Sequence, residues 1–172
     1  MKLDLQQDYP GGIDRLWAVF SQPDYAEQKY RSLGAKDVRM LHFVATPELI
    51  EVELERTAPV APDEVPLWLR KLIGNEQAMH HHTVWRRLSP TRVAAELRIT
   101  PVGRPVSARG TASAVELGPN RTRMVLSFDV ESSVPLVGGN LAHLFAERIR
   151  EALAADHAFT LRYIREHAER AQ

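Results

Sequence analysis

From Val134 to about Ala168 the chain reads VPLVGGNLAHLFAERIREALAADHAFTLRYIREHA. Pro135 and the pair Gly138-Gly139 punctuate its start, and no proline or glycine follows. Leu141, Leu144, Phe145, Ile149, Ala152, Phe159, Tyr163 and Ile164 recur at helical spacing, which predicts one long amphipathic helix. About 28 residues would span ~42 Å, with Asn140 as the expected N-cap. A stripe of that length needs an extended surface to cover it, and the chain upstream reads as the sheet that supplies one.

Composition narrows the classes. A chain of 172 residues fits one domain with a sizeable core. Lys plus Arg and Asp plus Glu each number 22, a zero net charge that argues against nucleic acid or an anionic membrane as the main partner. With no cysteine, disulfides, thiolate metal sites and thiol catalysis are excluded. The polar, acid-bearing N-terminus MKLDLQQDYP does not read as a signal peptide, and no apolar run approaches the roughly 18 residues that span a bilayer. A cytoplasmic protein without a cofactor is expected, and association as a homodimer stays open.

Upstream, Leu3, Leu5, Gln7 and Tyr9 alternate with Lys2, Asp4, Gln6 and Asp8, a strand with one buried side. After Pro10-Gly11-Gly12, Ile13, Leu16, Trp17 and Phe20 mark a short helix. A second is expected with Ser21 as cap, Pro23 in its first turn, Asp24 at the capping-box position and Gly34 as the stop. Two strands follow, about 37–46 and 48–56. In the second, Ile50, Val52 and Leu54 face one way, while Glu51, Glu53 and Glu55 read as a solvated row. A proline-rich connection over 58–63 leads to a short helix over 66–73, either a cap on the core or a lid over a pocket mouth, with Trp68 on its apolar arc. Four more strands are expected, about 76–88, 91–101, 105–117 and 121–133, with turns at Ser89-Pro90, Gly103 and Gly118-Pro119-Asn120. Their inward sets are Met79, His81, Thr83, Trp85; Val93, Ala95, Leu97, Ile99; Ala108, Gly110, Ala112, Ala114; and Met124, Leu126, Phe128, Val130. The third set is small, which leaves volume unfilled on that face or lets the helix come close.

Chemistry-bearing residues are few. His80-His81-His82 sit in a strand, where neighbours point apart, so the three cannot ligate one metal. His80 and His82 together make only a two-ligand site, and no metal is expected. His81 points inward, as a core histidine with partners or as a polar group of a pocket. Asp156 falls within the apolar stripe of the terminal helix, where a carboxylate must be paired, hydrogen-bonded or protonated. An Arg or His from the sheet is the expected structural partner, and Thr160 and Tyr163 stand on neighbouring turns. Gly138-Gly139-Asn140 lacks nucleotide-binding spacing, and there is no nucleophile-elbow pattern.

The order of strand, two short helices, six strands and long terminal helix resembles the helix-grip fold of the START, Bet v 1 and polyketide-cyclase (SRPBCC) superfamily. Three phrases resemble one bacterial branch, the domain of unknown function 2505: Tyr9-Pro10 through Leu16-Trp17-Ala18-Val19-Phe20, then Pro66-Leu67-Trp68-Leu69-Arg70-Lys71-Leu72-Ile73-Gly74, and Val134-Pro135-Leu136-Val137-Gly138-Gly139. The resemblance implies an α+β domain over 1–172, a curved seven-stranded antiparallel sheet around the terminal helix, with a cavity between them for lipids, polyketides or similar apolar molecules. It brings no catalytic motif. On this reading the pocket is lined by Trp68, His81, Trp85, Phe128, Asp156, Phe159, Thr160 and Tyr163, and the protein is a carrier or sensor of an apolar small molecule. Two alternatives stand beside it: a cyclase- or hydrolase-like enzyme using Asp156, His81 and Tyr163 as acid and base, and an interaction module whose interior is filled.

Overall fold

The computed structural model describes residues 1–60 and 66–170. In chain order the elements are β1 (Lys2–Pro10), α1 (Ile13–Phe20), α2 (Tyr25–Ser32), β2 (Lys36–Ala45), β3 (Leu49–Pro59), α3 (Leu67–Ile73), β4 (Glu76–Ser89), β5 (Arg92–Pro101), β6 (Val106–Gly118), β7 (Arg121–Ser132) and α4 (Gly138–Arg170). The seven strands form one antiparallel sheet in the order β1-β7-β6-β5-β4-β3-β2. Only the step from β1 to β2 crosses the sheet, and α1 and α2 make that crossing. The first two strands therefore become opposite edges.

The inward rows follow the two-residue period of a pleated strand. Met124, Leu126, Phe128 and Val130 are all buried, as are Ile50 and Leu54, while the intervening positions face out. α4 lies over β7, β1 and β6. Polar bonds fix it there. Gln7 Nε2 donates to the Leu153 carbonyl at 3.0 Å, Tyr9 Oη donates to Gln7 Oε1 at 2.7 Å, and His157 Nε2 donates to the Asp8 carbonyl at 2.8 Å. A buried Gln on β1 is thus a clasp, satisfied on both sides. The start of α1 is held by a distant carboxylate: Glu116 Oε2 accepts the Ile13 N–H at 3.1 Å, which places negative charge on orphan donors of a helix N-terminus.

Several local expectations are corrected. α4 opens at Gly138, with Leu141 N–H donating to the Val137 carbonyl at 3.1 Å, so Asn140 lies inside the first turn and is not the cap. Its 33 residues reach ~50 Å. Ser21 closes α1 by donating its N–H to the Trp17 carbonyl. Asp24, not Ser21, precedes α2, and the Asp24 carboxylate accepts from Gln28 Nε2 rather than from a helix N–H. Gly34 takes φ +88° just beyond α2, the left-handed stop expected of it. β3 runs on to Pro59, so the front of the predicted proline connection is strand, and 61–65 lie outside the described residues. The Glu51, Glu53 and Glu55 row stays on the water-facing side as expected, and there it also makes ion pairs. Glu51 holds His82 at 2.8 Å and His42 at 3.5 Å, Glu53 holds His80 at 2.8 Å, and Glu55 holds Arg39 at 2.6 Å. On a strand face these are cross-strand and diagonal neighbours.

The row of small residues on β6 leaves no free volume, and α4 comes close to it, the second of the two expectations. Ala108, Ala112 and Ala114 are at most 2% exposed, so that face is full. Gly110 pairs with Phe128 of β7, and a Cβ built on it would meet the Phe128 ring at 2.5 Å. The missing side chain is the seat of that ring.

Candidate functional site

The interior space lies elsewhere, over the other half of the sheet. A cavity of about 170 Å³ is walled by β3, β4, β5 and β7, with Gln7 and Tyr9 of β1, Phe43 of β2, the α1–α2 pair and one face of α4, and β6 contributes none of its lining. The walls are mainly apolar. Ile50, Val52, Leu97, Ile99, Leu126 and Phe128 project from the sheet, and Phe145, Ile149 and Leu153 from α4. Phe20 and Trp85 pack with ring centroids 5.1 Å apart, and Phe20 leads on to Tyr25 at 5.6 Å.

Seven polar residues gather on the same lining in two bonded groups. In the first, Asp156 forms an ion pair with Lys29 at 3.0 Å, their side chains only 24% and 14% exposed. Thr160 Oγ1 donates to the Asp156 carbonyl at 2.9 Å, which leaves it to accept from Tyr25 Oη at 2.5 Å. In the second, Arg56 Nε donates to His81 Nε2 at 3.0 Å, and His81 Nδ1 meets Tyr30 Oη at 3.3 Å. The groups meet at the Tyr30 ring, with Lys29 Nζ 4.7 Å and Arg56 Cζ 4.8 Å from its centroid, a cation–π distance.

Burial sets the protonation states. It pushes the His81 pKa well below the usual histidine range, and the charges of Arg56 and Lys29 push the same way, so the ring is neutral. Because Nε2 accepts from Arg56, the single ring proton sits on Nδ1 and is donated to Tyr30 Oη. Burial opposes the Lys29 charge, but Asp156, together with Tyr30 and Tyr25, outweighs it and holds the ammonium above its ordinary pKa. Burial also raises Tyr25, which stays a phenol. Arg56 is lowered by burial against the opposing pull of Tyr30 and Asp156, and a guanidinium remains charged.

Of the residues expected on the wall, His81, Trp85, Phe128, Asp156 and Thr160 are there. Phe159 and Tyr163 stand behind Tyr25, at ring distances of 5.9 and 5.3 Å, and back the wall rather than line it. Trp68 on α3 is 45% exposed and is not among the lining residues. The expected partner of Asp156 was an Arg or His from the sheet, and it is Lys29 from α2. Tyr25, Lys29, Tyr30 and Arg56 were not singled out from the sequence. Arg56 carried a signal, since it continues the inward parity of Ile50, Val52 and Leu54. His80 and His82 point outward onto Glu53 and Glu51. Among the described residues no group of three or more His, Asp or Glu is arranged to hold a metal ion.

A seven-stranded antiparallel sheet gripping a C-terminal helix, with two short helices after the first strand, is the START and Bet v 1-like class of fold. Solved structures bear this out. The Zhui aromatase/cyclase from Streptomyces sp. R1128 superposes with a TM-score of 0.65 at 16% identity, covering 98% of this chain and 95% of that one. A START superfamily protein from Mycobacterium smegmatis gives 0.53 at 14%, covering 96% and 97%. Norcoclaurine synthase from Thalictrum flavum, in complex with dopamine and hydroxybenzaldehyde, gives 0.55 at 15%, covering 94% and 87%. No curated protein sequence matches the chain. Residues 4–164 match the family described as "Protein of unknown function (DUF2505)", and the chain belongs to that family.

Proposed function

We propose that this protein binds a compact, mainly apolar small molecule in the cavity between sheet and helix, as a carrier or sensor. The observation that carries the reading is the void itself. Protein interiors are packed nearly as densely as organic crystals, so about 170 Å³ walled by Phe20, Trp85, Phe128 and aliphatic side chains is a place for a guest. An engineered apolar cavity of about 150 Å³ takes up benzene. Among lipids, polyketides and similar molecules, the volume therefore favours a ring-sized guest over a long chain. The dopamine and hydroxybenzaldehyde of the Thalictrum flavum protein are also single-ring molecules. The void is also what speaks against an interaction module with a filled interior. Acid–base catalysis by Asp156, His81 and Tyr163 has less support. Asp156 is held by Lys29, His81 Nε2 is taken by Arg56, and Tyr163 is off the wall.

Native mass spectrometry of freshly purified protein should show a co-purified small mass. Toluene added to emptied protein should shift the resonances of Trp85, Phe20 and Phe128 in a saturable way, and Leu97→Trp, which fills the space, should abolish the shifts. If there is neither a co-purified mass nor a saturable shift, the cavity is not a binding site.

A further inference from the structure

The cavity reading leaves one charge unexplained. Two cations, Lys29 and Arg56, face the space with one carboxylate, Asp156, and a neutral His81. The fourth charged lining residue, Arg148, has its own acid, Glu151, at 2.9 Å. Lys29 is matched by Asp156. Arg56 has no carboxylate within ion-pair distance among the described residues, and its one hydrogen bond there is spent on His81 through Nε. The outward-facing Arg39, its side chain 69% exposed, is by contrast matched by Glu55 at 2.6 Å. The guanidinium is only half-buried, bonded to His81 through Nε and stacked on the Tyr30 ring, and its two terminal nitrogens have no acceptor among the described residues. It is a good receptor for a planar anion, because its two remaining N–H edges match a carboxylate in a paired fork.

The histidine strengthens that assignment. His81 fixes Arg56 through Nε2 and, by donating Nδ1–H to Tyr30, occupies a lone pair of the phenol oxygen. The Tyr30 O–H then has no acceptor among the described residues and is left to donate beside Arg56. Neutral His81 thus serves as a spacer that aims two donors, the guanidinium and the phenol, without adding a second full charge. Asp156 does not compete for them, being tied to Lys29 at 3.0 Å. The apolar lining begins next to these donors at Leu54 and Ile99, which flank His81 in the sheet, and continues through Val52 and Leu97 toward Trp85 and Phe20.

Resting on the cavity as the binding site, we infer that its ligand class is a small aromatic monocarboxylic acid, the carboxylate held by Arg56 and Tyr30 and the ring lodged against the adjoining Leu54, Ile99 and Val52. The acid completes the charge balance, and its single ring matches the space.

Benzoate and benzamide test this directly, since they share shape and differ in charge. Titrated into the full chain at pH 7.5 and followed by NMR, benzoate should bind at least tenfold more tightly than benzamide. Arg56→Met should lose tenfold or more in benzoate affinity and stay within twofold for benzamide, and Arg56→Lys should recover only part, because a lysine cannot form the paired fork. Tyr30→Phe should weaken benzoate by a smaller factor, about threefold. Equal binding of benzoate and benzamide by the wild type overturns the acid while leaving the cavity reading intact, and needs no variant to fold. Undiminished benzoate binding by a folded Arg56→Met overturns the assignment of the headgroup. Decanoate binding more tightly than benzoate keeps the carboxylate and overturns the ring. If toluene, benzamide and benzoate all fail to bind, the cavity reading falls and takes this inference with it.

Discussion

The two halves of the sheet solve the same packing problem in opposite ways. Over β1, β7 and β6, α4 comes down onto small or fully buried residues. Leu3, Ala108, Ala112, Ala114 and Val130 are at most 2% exposed, and Phe128 lies in the gap that Gly110 leaves. Over β3, β4 and β5 the inward side chains are larger, yet the helix does not reach down to them, and the α1–α2 crossing roofs a cavity instead. The packed side of α4 lies on β7 and β1 with the small row of β6 beside them, and the cavity runs from β3, β4 and β5 onto Leu126 and Phe128 of β7.

This contrast can be broken by truncating one leucine on each side. Leu3 is 1% exposed on the closed half, and Leu3→Ala should destabilise the protein by about 2–5 kcal/mol, the lost burial plus a new void. Leu97 already borders space on the open half, so Leu97→Ala enlarges a void instead of creating one. Its loss should be smaller, about 1 kcal/mol. Urea denaturation with unchanged m-values reads both. Equal losses would mean that the two halves are packed alike.

Gly110→Ala sharpens the same comparison. Replacing a strand glycine by alanine ordinarily gains about 0.5–1 kcal/mol of backbone entropy. Here the new methyl meets the Phe128 ring at 2.5 Å, and that ring, 1% exposed, can give way only toward the cavity it lines. Overpacking of this kind costs about 1–3 kcal/mol, so the net effect should be destabilising by one or two. A variant as stable as the wild type would show that Phe128 is free to shift toward the cavity, and that the boundary between the halves is soft.

What was legible beforehand follows the same division. Strand parity and the helical stripe are local signals repeated many times, and they place the seven strands, the long helix and the inward rows. They also put His81, Trp85, Phe128, Asp156 and Thr160 facing inward. Pairings between distant elements have no such repetition. That Asp156 meets Lys29 depends on how α2 crosses the sheet, and Glu116 reaches the start of α1 only because β6 ends beside it. The small row on β6 was legible as unusual but not in its meaning, because the answer lay in which ring of β7 sits opposite Gly110. Arg56 could have been caught, since a guanidinium on the apolar parity of β3 breaks the rule its neighbours obey. The helix ends were set by main-chain bonds around Val137 and Trp17 that side-chain preferences do not announce.

The gentlest test uses acid. The buried face of the closed half, on β6 and β7, is apolar apart from Thr122, whereas the open half holds His81. Burial, Arg56 and Lys29 keep its folded pKa well below that of the unfolded chain, near 6.5. The unfolded state therefore binds the proton first as the pH falls. Stability from this group is intact above about pH 6.5 and declines below it, by up to about 1.4 kcal/mol per pH unit until the folded pKa is passed. His81→Gln removes the titration while keeping a polar side chain, so the difference between variant and wild type should grow in the variant's favour from pH 7 to pH 5.5, to roughly 1 kcal/mol. If His81→Gln tracks the wild type across that range, His81 takes up its proton as readily in the fold as in the unfolded chain, a third cation joins Lys29 and Arg56 at the lower pH, and the open half is wetter than its walls imply.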